Sequence, residues 1–237
     1  MTLKEVNPLK IDGYSDIGRF RKENQDAFYF DGEKCYAVIA DGMGGHNGGE
    51  IASNAAVVAI RTYIDGHREQ GPVELINNSI SLANEIVYEL GYDDLDGMGT
   101  TVVLAYIQDK TAYIGSVGDS RAYLAHGDDL KQITTDHSMV NRLLEIGKIS
   151  ENQVANHPQK NLLTRAVGTE KNVEIDIFEV SMAKGDTLLL CTDGLTNAIS
   201  DYELIELIKA KNTPKKLCDL ASKRSGKDNC TVVNIIY

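Results

Sequence analysis

Residues 100–124 read TTVVLAYIQDKTAYIGSVGDSRAYL. Two runs rich in β-branched and aromatic residues, 100–107 and 111–117, are separated by Asp109-Lys110, and a third run at 122–124 is followed by the turn signal Gly127-Asp128-Asp129. Strands joined this tightly predict an antiparallel hairpin series. Upstream, 9–16, 27–31 and 35–40 (CYAVIA) continue the strand pattern as a meander. After the glycine cluster GMGGHNGG the period changes. Ile51, Ala55, Val58 and Tyr63, then Leu75, Ile76, Ile80, Ala83, Val87 and Leu90, recur at three- and four-residue intervals and predict two amphipathic helices. Downstream the pattern weakens over 134–168, with short helices expected at 138–146 and around 151–155. Strands resume at 173–180 and 187–191, helices follow at 202–209 and 214–222, and a strand closes at 230–236. Antiparallel sheets flanked by helices, an α+β sandwich rather than a βαβ fold, are the expected architecture.

Composition narrows the function classes. With 237 residues, 42% hydrophobic and only four prolines, the chain can bury one substantial core and carries no linker between halves, so a single domain spanning 1–237 is expected. Its 24 Lys and Arg against 35 Asp and Glu give a net charge of −11, a field that repels nucleic acid and anionic lipid. No apolar run reaches the ~20 residues of a membrane span, and MTLKEVNPLK has no signal-peptide stretch, so a cytoplasmic protein is expected. Cys35, Cys191, Cys218 and Cys230 form no C-x-x-C spacing and read as reduced thiols.

One local grammar repeats. Apolar runs end in an Asp followed by a small residue at VIA-Asp41-Gly42, GSVG-Asp119-Ser120 and LLLCT-Asp193-Gly194, and Asp228 stands just before the last strand. Turn chemistry explains any one of these alone. Four of them, together with Asp26 of RKENQD, could converge on one rim, where uncompensated carboxylates would repel strongly without cations. Oxygen donors without Cys or regular His spacing select Mg2+ or Mn2+ over zinc, and two such ions with open water positions make a hydrolytic centre. The glycine cluster lacks the G-K-[ST] ending of a P-loop, so nucleotide binding there is disfavoured. His46 could be an acid, a ligand or an exposed turn residue, the last being favoured. Arg21 could present a fork to phosphate or be a surface arginine of RFRK. No G-x-S-x-G elbow occurs, which leaves water as the nucleophile.

Taken together, GYSDIGRFRKENQD, AVIADGMGGHNGGEIAS, GTTVV, IGSVGDSRAYL, TTDHSMV, NHPQKNLLTRAVG, LLLCTDGLTN and GKDNCTVV resemble, nearly end to end, the metal-dependent protein phosphatases of type 2C, and their compact bacterial members above all. The resemblance implies two antiparallel β-sheets packed face to face with helices outside, a four-layer αββα sandwich, and hydrolysis of phosphoserine and phosphothreonine in proteins. It implies two core ions, Mn2+ or Mg2+, with a third, weaker site. Asp41 matches the carboxylate that bridges the two ions, Gly42 a backbone carbonyl ligand, and Asp193 and Asp228 the remaining ligands of the first ion. Asp119, with Asp193, matches the third site, Asp26 the acidic residue that holds a water of the centre, and Arg21 the phosphate-binding arginine. Residues 134–168 match a variable flap subdomain that influences substrate choice.

One departure from the animal-type Asp-Gly-His-Gly-Gly is Met43, which cannot donate a proton to the leaving alkoxide and leaves that role to water or His46. A phosphoprotein-binding module without turnover would be marked by lost metal carboxylates, yet Asp41, Asp193 and Asp228 are all present. The expected partners are phosphorylated proteins and a bacterial Ser/Thr kinase whose action the enzyme opposes, with the chain acting as a monomer.

Overall fold

The computed structural model describes residues 9–44, 48–91, 95, 97–154 and 157–237. Its strands form two sheets. One runs in the order β1 (Lys10–Asp16), β11 (Cys230–Ile236), β10 (Thr187–Cys191), β7 (Arg121–His126), β8 (Asp129–Gln132). The other runs β2 (Asp26–Asp31), β3 (Tyr36–Met43), β5 (Val102–Gln108), β6 (Thr111–Val117), β9 (Asp176–Ser181), with β4 (Gly99–Thr100) added beside β3. Every strand pair is antiparallel. The β5–β6 hairpin closes at Gln108 and Thr111, and Asp109 and Lys110 both hold positive φ (48° and 70°), as a two-residue turn matched to strand twist requires.

Side-chain alternation builds four layers. From β3, Ala37 and Ile39 point between the sheets and meet Leu188, Leu190, Val233 and Ile235. Tyr36, Val38 and Ala40 point the other way, onto α1 (Gly48–Gly66) and α2 (Pro72–Leu90). On the opposite side Leu189, Cys191 and Val232 pack against α5 (Asp193–Thr196), α6 (Asp201–Lys209) and α7 (Pro214–Arg224) through Leu195, Leu204, Leu217 and Cys218. Strands covered on both faces need both alternating sets apolar, which is why CYAVIA reads as an unbroken run although its sheet is antiparallel. The expected αββα sandwich is the fold observed.

Several boundaries differ from expectation. The third strand does not stop at Ala40 but continues through Asp41 and Gly42 to Met43, because Gly42 and Met43 pair with Thr100 and Gly99 of β4. The run expected at 100–107 is divided at Thr101, which turns to bond Asp41. Asp193 opens a one-turn helix instead of a loop, β8 is an unforeseen edge strand, and β9 begins at Asp176, three residues later than the 173–180 run suggested. Segment 134–168 carries α3 (Met139–Glu145) and α4 (Glu151–Val154), and bridges Ser138–Leu163 and Thr100–Val167 tie it to itself and to β4.

Candidate active site

The two sheets bring their ends together at one edge of the sandwich. Asp41 lies in β3 directly opposite Asp26, the first residue of β2. Asp119 follows β6 after Gly118, whose φ of +102° turns the chain sharply. Asp193 follows β10, and Asp228 precedes β11. A cleft of ≈ 280 Å³ is lined by Arg21, Asp41, Gly42, Asp119, Asp193 and Asp228. Asp26 lies beneath it, 7% exposed. All seven residues singled out from the sequence therefore meet in one place. A larger cavity of ≈ 460 Å³ beyond Met43 holds Arg165, Glu170 and Glu174 and lacks a comparable carboxylate cluster.

Glycine is dictated at two of these positions by backbone approach rather than by turning. A Cβ on Gly42 would sit 1.9 Å from the Gly49 carbonyl oxygen, and one on Gly194 would sit 1.9 Å from that of Asn229. Neither has a positive φ. The Asp-Gly pairs at 41–42 and 193–194 are therefore packing devices that let the carboxylate-bearing backbone close against a neighbour, a different reason from the turn geometry expected.

A layer of hydroxyl and amide groups holds the carboxylates in place. Thr192 Oγ1 and Thr231 Oγ1 donate to Asp26 Oδ2 at 2.9 and 2.6 Å. The Asp41 backbone N–H donates to Thr101 Oγ1, and its carbonyl accepts from Thr101 N and Thr100 Oγ1, all at 2.9 Å. Asn229, 4% exposed, accepts from Gln25 N at 2.9 Å and donates to the carbonyls of Ile17 and Glu23 at 2.8 and 3.0 Å. Those bonds fasten the loop that carries Arg21. Sequence reasoning passed over Thr100, Thr101, Thr192, Asn229 and Thr231. Only Thr192 and Asn229 sit beside a singled-out aspartate in the sequence; Thr100, Thr101 and Thr231 reach theirs through strand pairing.

Electrostatics points to cations. Burial, the largest cause, and the charges of Asp193 and Asp228 raise Asp26 to about 7 against the threonine bonds that lower it. Burial together with Asp26, Asp193, Asp119 and Asp228 raises Asp41 well above the carboxylate range. Asp119 is raised to about 7 by burial, Asp193 and Asp136, and Asp193 to about 6 by burial and Asp228. Among the described residues Asp26 Oδ1 and Asp193 Oδ1 are buried and find no hydrogen-bond partner. Buried acceptors without donors are costly, and a hard divalent ion satisfies oxygens of this kind while reversing the repulsion. Among the described residues no three His, Cys, Asp or Glu side chains gather closely enough to ligate one ion unaided. An ion here would complete its shell from backbone carbonyl and water, as Mg2+ does when it keeps several waters. The donor set thus fits Mg2+ or Mn2+.

Arg21 stands at the rim with its side chain 44% exposed, Nη2 2.7 Å from Asp228 and Nε donating to the Lys227 carbonyl at 3.1 Å. Met43 lines both the carboxylate cleft and the larger cavity. His46 lies outside the described residues.

Known proteins are similar to this chain in sequence and in fold. A family model described as Protein phosphatase 2C matches residues 19–227. The serine/threonine phosphatase stp of Listeria innocua is 38% identical over 240 residues, covering 92% of each chain. The crystal structure of the Mycobacterium tuberculosis serine/threonine phosphatase PstP/Ppp superposes with a TM-score of 0.90 at 31% identity, over 97% of this chain and 98% of that one. A PstP catalytic domain in complex with two manganese ions superposes at 0.87 and 29% identity, over 97% and 99%. Among the described residues no helix is long and apolar enough to cross a membrane. Likeness of this extent in sequence and in fold leaves one conclusion: the chain belongs to the protein phosphatase 2C family.

Proposed function

We propose that the chain removes phosphate from phosphoserine and phosphothreonine in proteins, with water as nucleophile and two divalent ions held by Asp41, the Gly42 carbonyl, Asp193 and Asp228. It is a metal-dependent protein serine/threonine phosphatase, using Mn2+ or Mg2+. The observation that carries the site assignment is the convergence of four aspartates on one cleft with Asp26 buried opposite Asp41, the oxygens Asp26 Oδ1 and Asp193 Oδ1 having no partner among the described residues. The two manganese ions of the PstP complex support the ion count, and Asp119 with Asp193 would hold a third, weaker ion. When bound, such ions lower the pKa of water and neutralise charge on the phosphoryl oxygens.

The remaining work falls to the chain. Asp26, its Oδ2 fixed by Thr192 and Thr231 and its Oδ1 buried without a hydrogen-bond partner among the described residues, orients the attacking water and accepts its proton. Arg21, anchored through Nε on the Lys227 carbonyl and through Nη2 on Asp228, turns its guanidinium toward the phosphoryl group from the rim. Met43 cannot donate a proton, which leaves water or His46 to protonate the leaving alkoxide. Residues 134–168 act as a flap over the cleft, through Asn161 and Leu163. The substrates are phosphoproteins, and the enzyme opposes a Ser/Thr kinase in the cytoplasm, as a monomer. Calorimetric titration of EDTA-stripped protein with MnCl2 tests the site: two equivalents binding in wild type and fewer in Asp228→Asn are expected, and undiminished binding in that variant would refute the ligand assignment.

A further inference from the structure

Beside the carboxylate cleft lies a second one of ≈ 330 Å³, lined by Lys160, Asn161, Asn197, Ser225, Lys227 and Asp228 among others. The two clefts share Asn161 and Asp228, so they are continuous. Lys160 comes from the 134–168 segment and Lys227 from the loop before β11, so two separate parts of the chain each bring a lysine to the lining. Among the described residues neither has an ion-pair partner, so both charges are free to meet a ligand. The one acid lining this cleft, Asp228, is already engaged, holding Arg21 at 2.7 Å. Lys160 is close enough to Asp193 for its charge to be felt there. The cleft thus carries two lysines and one engaged acid in a chain whose net charge is −11.

We infer that this cleft is a substrate subsite that receives an acidic side chain, Asp or Glu, within a few residues of the phosphorylated one. Asn161, Asn197 and Ser225 supply neutral polar groups for the carboxylate, and the lysines supply charge. An extended peptide advances about 3.3 Å per residue, so neighbours of a residue held in the first cleft reach the second. The local lysines then select acidic segments that the overall field would turn away. The inference rests on the phosphatase function proposed above.

The test compares two phosphothreonine peptides, one with glutamates on both sides and one with glutamines in their place, at saturating MnCl2 and low ionic strength. Each enzyme is read by the ratio of its kcat/KM values for the two peptides. Wild type is expected to favour the glutamate peptide about fivefold, the scale of two exposed ion pairs, mainly through KM. Lys160→Gln/Lys227→Gln should bring the ratio to about one, and Lys160→Glu/Lys227→Glu should invert it. Release from both peptides at equal kcat/KM by wild type, or a ratio unchanged in the variants, overturns the subsite alone. No release from either peptide by wild type overturns the phosphatase function, and the subsite with it.

Discussion

Asp26→Asn should make the metal-free enzyme more stable while it weakens the metal-loaded one. The carboxyl is buried, its pKa is raised from 3.8 to about 7, and the largest cause is burial. A raised folded-state pKa means that the folded chain holds the proton more tightly than the unfolded chain does. Ionising Asp26 therefore costs nothing below about pH 4, and the cost accumulates as pH climbs toward 7 and is complete above it. About three pH units at about 1.4 kcal/mol each sets a ceiling of roughly 4 kcal/mol. Part of the repulsion from Asp193 and Asp228 is relieved by other means in the variant, and neutral acceptors take weaker bonds from Thr192 and Thr231. About half the ceiling, roughly 2 kcal/mol, should survive, or about 4–8 °C in Tm for a chain of this size. The Asn keeps the shape, lets its carbonyl accept both threonine hydroxyls, and directs an amide where Oδ1 was partnerless. Thermal melts in EDTA from pH 5 to 8 check this. The variant should melt higher at pH 8, the gap should shrink toward pH 5, and MnCl2 should reverse the order because binding stabilises the folded state in proportion to affinity. A variant that melts no higher than wild type at pH 8 in EDTA, with no dependence on pH, would refute the electrostatic account of the cluster.

Asn229→Ala removes a buried side chain that makes three hydrogen bonds to the 17–25 loop. At about 1 kcal/mol each it should lower stability by about 2–3 kcal/mol in urea melts and raise KM, because Arg21 rides on that loop. Gly194→Ala places a Cβ 1.9 Å from the Asn229 carbonyl; the strand end must shift, and calorimetry should find Mn2+ affinity reduced at least tenfold even where the protein folds. Arg21→Ala is expected to raise KM for a phosphopeptide with a smaller change in kcat; an unchanged KM would remove Arg21 from phosphate binding.

The fold was legible where local chemistry and burial agreed. Asp109-Lys110 announces the β5–β6 hairpin because both residues must adopt positive φ. CYAVIA announces a strand covered on both faces because neither alternating set is polar. Legibility failed where one residue type serves two purposes. Asp41-Gly42 looks like a turn, yet the glycine is there to admit Gly49, so the strand runs on past it. α5 has only four residues, too few to display a helical period, and DLKQ of β8 is too short and polar to stand out.

The aspartates of the site were visible as charges at the ends of apolar runs, where burial makes a carboxylate costly without a purpose. Their supports were not. A threonine in a strand is accounted for by β-propensity alone, so nothing local distinguishes Thr101, Thr192 or Thr231 as holders of Asp41 and Asp26. Asn229 bonds a loop at the opposite end of the chain, a relation that only the pairing of β1 with β11 creates.

Phosphate release from a phosphothreonine peptide by wild type and Asp41→Asn, each stripped with EDTA and titrated with MnCl2, tests the central claim most directly. Asp41 lines the cleft and lies among four other carboxylates. Wild type should show release that rises with Mn2+ and saturates, and the variant should show none at concentrations that saturate wild type while remaining folded. Release by a folded Asp41→Asn with the wild-type dependence on Mn2+ would contradict the account.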